Sequence, residues 1–214
     1  MSTAIFREPF NGLSHLAATI MAIAGLCLLV AQAALHGDMW HIVSFSIFGA
    51  CMILMFACST LYHLILAGEK GLLILKRFDH MAIFMMIAGT YTPMCLVPLR
   101  GSIGWTLLGI IWGLALLGIV LKAVWIGAPR WSSTLIYLAM GWSCVFTFSP
   151  MVNNLPEQSL AWLVCGGVFY TLGALIYGIK WPNPKPPHFG FHEIWHLFVI
   201  GGAFSHFMTV FYLL

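Results

Sequence analysis

Seven long apolar stretches, separated only by short polar or Pro/Gly-containing breaks, dominate this sequence. A helix that crosses a bilayer needs about 20 mostly apolar residues, and each stretch reaches that length. Hydrophobic residues make up 61% of the chain and charged residues only 7%, which is far from the composition of a soluble domain. We therefore predict an all-α polytopic membrane protein, with a seven-transmembrane-helix bundle as its single domain over residues 1–214. The predicted spans are 14–35, 42–66, 79–98, 103–125, 133–152, 159–180 and 192–213.

The distribution of positive charge over the breaks predicts the orientation of the bundle. The chain has 9 lysines and arginines, and if alternate breaks share a side, all except Arg100 fall on the side of the N-terminus. Because cytoplasmic loops carry an excess of Lys and Arg, we expect the N-terminus in the cytoplasm and the C-terminus outside. A multi-pass protein of the plasma (inner) membrane follows from this orientation. The residues on the N-terminal side are Arg7, Lys70, Lys76, Arg77, Lys122, Arg130, Lys180 and Lys185.

Composition also excludes two other classes of protein. The net charge of +3 comes from the loops, without a basic run or a patch of interleaved aromatic residues, so we expect no nucleic-acid partner. The 6 cysteines are scattered through apolar stretches, without a C-x-x-C pair or the regular spacing of a disulfide framework. We interpret them as small apolar packing residues.

Two histidines at the start of the last apolar stretch predict a metal site. His192 and His196 are four residues apart, so on a helix they lie about 40° apart around the axis and both imidazoles can face one ion. Ionisable side chains within a membrane span are expensive and usually mark function. The alternative interpretation is a pair of histidines at the beginning of a helix, at the lipid interface.

A third histidine and an aspartate are predicted at the same depth. His63 lies near the cytoplasmic end of the second span, and Asp79 opens the third. Three neutral imidazoles with one open position are the usual arrangement of a catalytic zinc, so His63, His192 and His196 are the predicted zinc ligands. Asp79 is either a fourth ligand or, as we prefer, the group that holds and deprotonates a water molecule at the metal.

Three further groups have open interpretations. Ser59 lies one turn from His63, where its hydroxyl could stabilise an oxyanion or bond to its own helix carbonyl. Glu193 completes H-E-x-x-H, in which a glutamate can be the general base, but its direction on the helix makes it a weaker candidate than Asp79. Glu8, Asn11 and His15 share a helix face before the first span, where they either orient the metal ligands from the second shell or belong to an interfacial helix.

Together these residues resemble the hemolysin III family, the bacterial branch of the progestin and adipoQ receptor family. The matching pieces are Glu8-x-x-Asn11-x-x-x-His15, Ser59-x-x-x-His63 followed by Asp79, and His192-x-x-x-His196. The resemblance implies seven helices, a cytoplasmic N-terminus, zinc held by the three histidines, and an aspartate that acts through water. It also connects the chain to membrane zinc amidases of the alkaline ceramidase type and to membrane-lipid homeostasis. The short N-terminal segment departs from the receptor branch.

We therefore expect a zinc-dependent hydrolase that cleaves an amide or ester bond of a membrane lipid, or a lipid-sensing regulator of similar build. A membrane-permeabilising haemolysin is a second hypothesis, which a chain with seven apolar spans does not favour. A non-catalytic protein with a structural zinc is a third. The sequence leaves the substrate and the oligomeric state open.

Overall fold

A computed structural model describes residues 5–125, 127, 129–186 and 188–214, and the regular structure in these ranges is helical. The segments between most of the helices are short, so most helices that follow one another in the chain run in opposite directions. The helices are α1 (Pro9–His36), α2 (Met39–Leu64), α3 (Glu69–Leu96), α4 (Ser102–Val124), α5 (Arg130–Trp142), α6 (Phe148–Asn154), α7 (Glu157–Ile179) and α8 (Phe191–Phe211), with a 3₁₀ segment at Ser143–Thr147.

Six helical segments in the described ranges are long and apolar enough to cross a membrane, so the chain is a polytopic membrane protein. They are Pro9–His36, Met39–Leu64, Ser102–Val124, Trp131–Asn154, Glu157–Ile179 and Phe191–Phe211. The third predicted span corresponds to α3, which has 28 residues but is not among the six. Its first turns are charged and its second half contains Thr90 to Pro93, so it is less apolar than its neighbours.

The helices form a ring in which α1 packs between α2 and α8. The ring continues from α2 to α3, then through α5 and α7 back to α8, while α4 packs chiefly against the outside of α3. A core of Phe, Met and Ala side chains, including Phe45, Phe48 and Met52, fills the space between α1, α2, α3 and α8. The C-terminal end of α2 therefore lies beside the N-terminal ends of α1 and α8.

The fifth predicted span, 133–152, is interrupted rather than continuous. The α-helix ends at Trp142, and α6 begins only at Phe148. Tyr91 of α3 compensates for the break, because its hydroxyl lies 2.7 Å from the carbonyl oxygen of Gly141 and accepts a hydrogen bond from the backbone N–H of Cys144 at 2.9 Å. One side chain therefore satisfies backbone groups that the lost helical turn leaves without partners.

Two helices begin earlier than the apolar windows predicted. Helix α1 begins at Pro9 rather than near residue 14, so Asn11 and His15 are part of the first span's helix. Helix α3 begins at Glu69, ten residues before the predicted start, so Asp79 lies within a helix rather than at its opening. Hydropathy marks only the apolar part of a helix, and polar turns that extend beyond the hydrocarbon give no such signal.

Candidate metal centre

Three histidines converge where the end of α2 meets the start of α8. His63 and His196 are buried, and His192 is half-buried. Each offers a ring nitrogen, and the three nitrogens all lie within 4.8 Å of one another. The Nε2 atoms of His192 and His196 are 3.1 Å apart. The i, i+4 spacing on α8 thus brings both rings to one face, and α2 supplies the third from the opposite side.

This spacing fits the donor set of a metal ion. Tetrahedral bonds of about 2.0–2.1 Å to imidazole nitrogen place two ligand atoms about 3.4 Å apart. The 3.1 Å separation of the two nitrogens on α8 is close to that value. Because all three nitrogens lie within 4.8 Å of one another, only a small movement of the side chains would bring them to metal-binding distance. Neutral imidazole suits zinc and several other transition metals. The triad could therefore bind a metal ion.

Glu8 fixes the orientation of the His63 ring. Its Oε2 atom lies 2.5 Å from Nδ1 of His63, so the Nε2 atom is the nitrogen left to face a metal. A carboxylate behind a ligating histidine sets the tautomer and makes the ring a better donor. The backbone holds this pair in register, because the N–H of Glu8 donates to the carbonyl oxygen of His63 at 2.9 Å.

The charge on Glu8 is maintained by its surroundings. Burial raises the pKa of this carboxyl, but the hydrogen bond to His63 and the positive charge of Arg7 outweigh that effect, so that the pKa is lowered to about 2. Arg7 forms an ion pair with Glu8 at 3.2 Å and donates to the carbonyl oxygen of Tyr62 at 2.6 Å. The carboxylate is therefore ionised at neutral pH.

A glycine allows the N-terminal segment to approach α2 this closely. A Cβ atom at Gly12 would overlap the side chain of Leu64, the last residue of α2. The absence of a side chain lets α1 pack on the end of α2 and brings Glu8 into reach of His63. Gly12 therefore belongs to the support of the site.

Asn11 connects the first helix to the last. Its side-chain amide donates to Glu193 at 2.9 Å, and its Nδ2 atom also lies 3.4 Å from Glu8. The other oxygen of Glu193 accepts a hydrogen bond from the backbone N–H of Gly190 at 2.8 Å. Glu193 thus caps the start of α8 and holds it to α1. These bonds give it a positioning role, and they make the general-base interpretation of H-E-x-x-H weaker still.

His15 contributes a fourth imidazole next to the triad. Its ring centroid is 4.0 Å from that of His196 and 5.0 Å from the ring of Phe56. The side chain is 3% exposed, and within the described part of the chain no hydrogen bond of ordinary geometry reaches either ring nitrogen. A buried polar atom without a partner is costly, so these nitrogens indicate a missing partner. A water molecule or an ion at the triad would supply one.

Asp79 and Ser59 lie next to each other, near His63. The partly buried Asp79 side chain is beside the Ser59 hydroxyl and within electrostatic range of His63. Ser59 is 2% exposed. Among the described residues, the group of ligand atoms within 4.8 Å contains the three histidines and not Asp79. This arrangement favours an aspartate that faces the metal through water over a direct ligand.

The remaining histidines lie apart from the triad. His206 packs between α8 and α7, where its ring stacks on Tyr170 at 5.5 Å and lies against Gly166. Its Nδ1 atom has no hydrogen-bond partner among the described residues. His80 is adjacent to Asp79, and its backbone carbonyl accepts a hydrogen bond from Tyr137 at 3.0 Å. We therefore assign His206 and His80 to the packing between helices.

Sequence reasoning missed two neighbours of the site. Arg7 pairs with Glu8, and its guanidinium lies 4.2 Å from the ring centre of Tyr62. The ring of Tyr177 on α7 lies 5.7 Å from that of His192. Arg7 could have been suspected because it precedes Glu8, whereas nothing in the local sequence distinguishes Tyr177 from other membrane tyrosines.

The sequence of this chain is similar to those of known proteins. The profile of the family described as Haemolysin-III related matches residues 3–207 of the chain. The chain is 41% identical over 206 residues to the Hemolysin-3 homolog of Bacillus subtilis (strain 168), covering 96% of this chain and 93% of that protein. It is 40% identical over 215 residues to Hemolysin-3 of Bacillus cereus, covering 100% of this chain and 95% of that protein.

A more distant relative comes from animals. The chain is 27% identical over 213 residues to the Monocyte to macrophage differentiation factor of Homo sapiens, covering 96% of this chain and 83% of that protein. The matches extend over nearly the whole chain, so they include the helices that carry the triad and not only one motif.

Proposed function

The chain belongs to the Haemolysin-III related family, and from its buried histidine triad we propose that it is a zinc-dependent hydrolase that cleaves an amide or ester bond of a membrane lipid. The observation that carries the proposal is a set of three imidazoles that no fourth protein ligand joins among the described residues and that an aspartate and a serine flank. Catalytic zinc sites keep an open position of this kind, whereas structural sites are closed by four protein ligands.

The residues around the triad have complementary tasks in such a reaction. A zinc ion held by His63, His192 and His196 would polarise a carbonyl group and lower the pKa of a water molecule towards neutrality. The Asp79 carboxylate accepts a proton from that water and delivers it to the leaving group. The Ser59 hydroxyl, beside Asp79, donates to the oxyanion that develops on the carbonyl. Glu8 keeps the His63 ring oriented throughout.

An apolar cavity of about 120 Å³ between α1, α2 and α8 supports a lipid substrate. Phe56 contributes to its wall and also contacts His15, so the cavity adjoins the side of the triad that faces the membrane interior. Ala18 and Ala203 line the same cavity with small side chains. The volume is below the roughly 300 Å³ of an ordinary ligand pocket, so only part of an acyl chain could lie there while its carbonyl group reaches the metal.

We further propose that α3 forms a seventh crossing and that the N-terminus is cytoplasmic. Helix α3 is 28 residues long and packs between α2 and α4, both of which are long and apolar enough to span. The charge asymmetry then places the triad near the cytoplasmic face of the inner membrane. Reporter fusions in the breaks after α1 and α2 would test this orientation directly.

The test of the proposed reaction combines metal content with turnover. Purified protein, incubated with ceramide-like and other acyl lipids, should release free fatty acid. The His192→Ala variant should lose both metal and activity, while Asp79→Asn should retain most of the metal and lose activity. Fatty-acid release that is unchanged in Asp79→Asn would contradict the assigned role of the aspartate.

A non-catalytic alternative has one observation in its favour, because the ligands come from α2 and α8 and a metal ion would brace two helices that are distant in sequence. Full metal content without turnover on any acyl lipid would favour this structural or lipid-sensing role. Liposome leakage that persists after replacement of all three histidines would instead favour a permeabilising protein.

A further inference from the structure

The apolar cavity beside the triad is open on one side, between α1 and α8. Met21 of α1 and Phe204 of α8 line it and are 64% and 49% exposed, on helices that are long and apolar enough to span. Its inner wall contains Met52 and Phe56 of α2, which are buried. The cavity, bounded by these four residues and called the α1/α8 groove below, can therefore be reached by a lipid chain directly from the bilayer.

Small side chains line the α1/α8 groove on both spanning helices. Ala18, Ala22 and Gly25 lie on one face of α1, and Ala203 lines the groove from α8. The ring of Phe207 lies against Gly25 at the end away from the triad, where a Cβ atom would be 2.9 Å from it. Small residues usually allow membrane helices to pack closely, yet a space of about 120 Å³ remains here. Because protein interiors leave few such voids, the space indicates a missing apolar occupant.

The other end of the groove meets the layer of imidazole side chains. His15 is one turn before Ala18 on α1, and His196 is one turn before Ile200 on α8. Residues at this spacing share a helix face, so the faces that carry the imidazoles continue into the groove. Phe56 joins the two parts, since its ring centroid is 5.0 Å from that of His15. The groove is therefore apolar along its length and polar at one end, as an acyl lipid is.

We propose that the α1/α8 groove binds the part of an acyl chain next to the ester or amide group of a bilayer lipid, while the rest of that chain stays in the membrane. A space of about 120 Å³ is too small for a whole acyl chain. The opening between Met21 and Phe204 lets the remainder extend into the bilayer. This inference rests on the proposed function and narrows its substrate to long-chain lipids that remain embedded in the membrane.

Photo-crosslinking of the purified full chain in liposomes tests the groove without requiring turnover. The probe is hexadecanoic acid with a diazirine in its chain, added with and without excess unlabelled hexadecanoic acid, and the labelled residues are identified by mass spectrometry. Gly25→Leu places a side chain in the groove. Gly109→Leu is the matched control, because it makes the same change on α4, where a Cβ atom has open space around it.

We expect unlabelled acid to suppress the labelling of Met21 and Phe204 in the wild type. Labelling of Leu117, which is exposed on α4, should persist because it reports contact with bulk lipid. Apparent affinity should fall about tenfold in Gly25→Leu, the loss expected when about two methylene groups are no longer buried, and stay unchanged in Gly109→Leu. Ala203→Leu, which fills the groove from α8, should reproduce the effect of Gly25→Leu.

Two results would overturn the proposal. One is labelling of the groove that excess acid does not suppress, and the other is an unchanged affinity in both Gly25→Leu and Ala203→Leu. Thermal unfolding without added lipid shows whether each variant is folded. Suppressible labelling in a protein that releases no fatty acid would support the groove and contradict the proposed hydrolysis. Hydrolysis of long-chain lipids at the wild-type rate in both folded variants would contradict the groove alone.

Discussion

Replacing Glu8 by glutamine tests how much of the metal affinity depends on the carboxylate behind His63. Glutamine has almost the same shape and retains an oxygen that can accept from Nδ1, so the change removes the charge and little else. In the native protein this carboxylate lies 2.5 Å from Nδ1 and stays ionised because its pKa is lowered to about 2. The variant therefore converts a charge-assisted hydrogen bond into a neutral one.

The expected magnitude follows from two independent considerations. A hydrogen bond to a charged group contributes about 1 kcal/mol more than a neutral one. Loss of a carboxylate behind a ligating histidine typically lowers metal affinity about 10–100-fold. The Glu8 side chain is 38% exposed, so solvent screens its charge and the lower end of that range applies. We expect zinc affinity to fall about tenfold, which corresponds to about 1.4 kcal/mol.

The assay is a competition titration of zinc between the purified protein and a chromophoric chelator. Glu69→Gln is the matched control, because Glu69 is an exposed glutamate in the first turn of α3 and should leave the affinity unchanged. His63→Ala gives the limit in which a ligand is lost. An affinity in Glu8→Gln equal to that of the wild type, in a folded protein, would refute the idea that this carboxylate orients the ligand.

Three other predictions address the fold and the metal. Gly104→Ala should lower the midpoint of thermal unfolding, because a Cβ atom at this position would collide with backbone carbonyl oxygens. Gly109 on the same helix has open space around it, so Gly109→Ala should leave the midpoint unchanged or raise it. Asp38 caps α2, and the hydrogen bond between Asp38 and His41 lowers the pKa of the Asp38 carboxyl. The ionised cap should therefore stabilise α2 above the usual aspartate pKa of about 4. This stabilisation should be lost as the pH falls through the lower pKa of Asp38 in the folded protein. Hydrogen exchange of the first turn of α2 should therefore accelerate at low pH in the wild type and be pH-independent in Asp38→Asn, apart from intrinsic exchange. Removal of metal by a chelator should lower the unfolding midpoint by several degrees, because the ion binds only the folded arrangement, and an unchanged midpoint would speak against a bound metal.

The fold could be predicted from the sequence because the bilayer imposes a simple length rule on apolar helices. The positions of the helix ends were harder to predict. The polar turns that extend α3 back to Glu69 carry no hydropathy signal, and the break after Trp142 depends on Tyr91, which is distant in the sequence. A local pattern of residues cannot reveal a hydrogen bond that forms only after the helices pack.

The site, like the fold, could be predicted from the sequence only in part. The i, i+4 spacing of His192 and His196 and the predicted depth of His63 indicated that three rings could meet, and the structure places them together. The bond from Asn11 to Glu193 could not be foreseen, because it joins the first helix to the last. Sequence position predicted the height of each residue along its helix, but only packing determines which face of a helix it presents.

The central claim is that the triad binds one metal ion, and metal analysis of the purified protein tests it most directly. Wild-type protein, expressed with zinc and freed of loosely bound ions, should contain about one zinc per chain, and the single variants His63→Ala, His192→Ala and His196→Ala should contain almost none. A wild-type protein without bound metal, or variants that retain the wild-type content, would contradict the account.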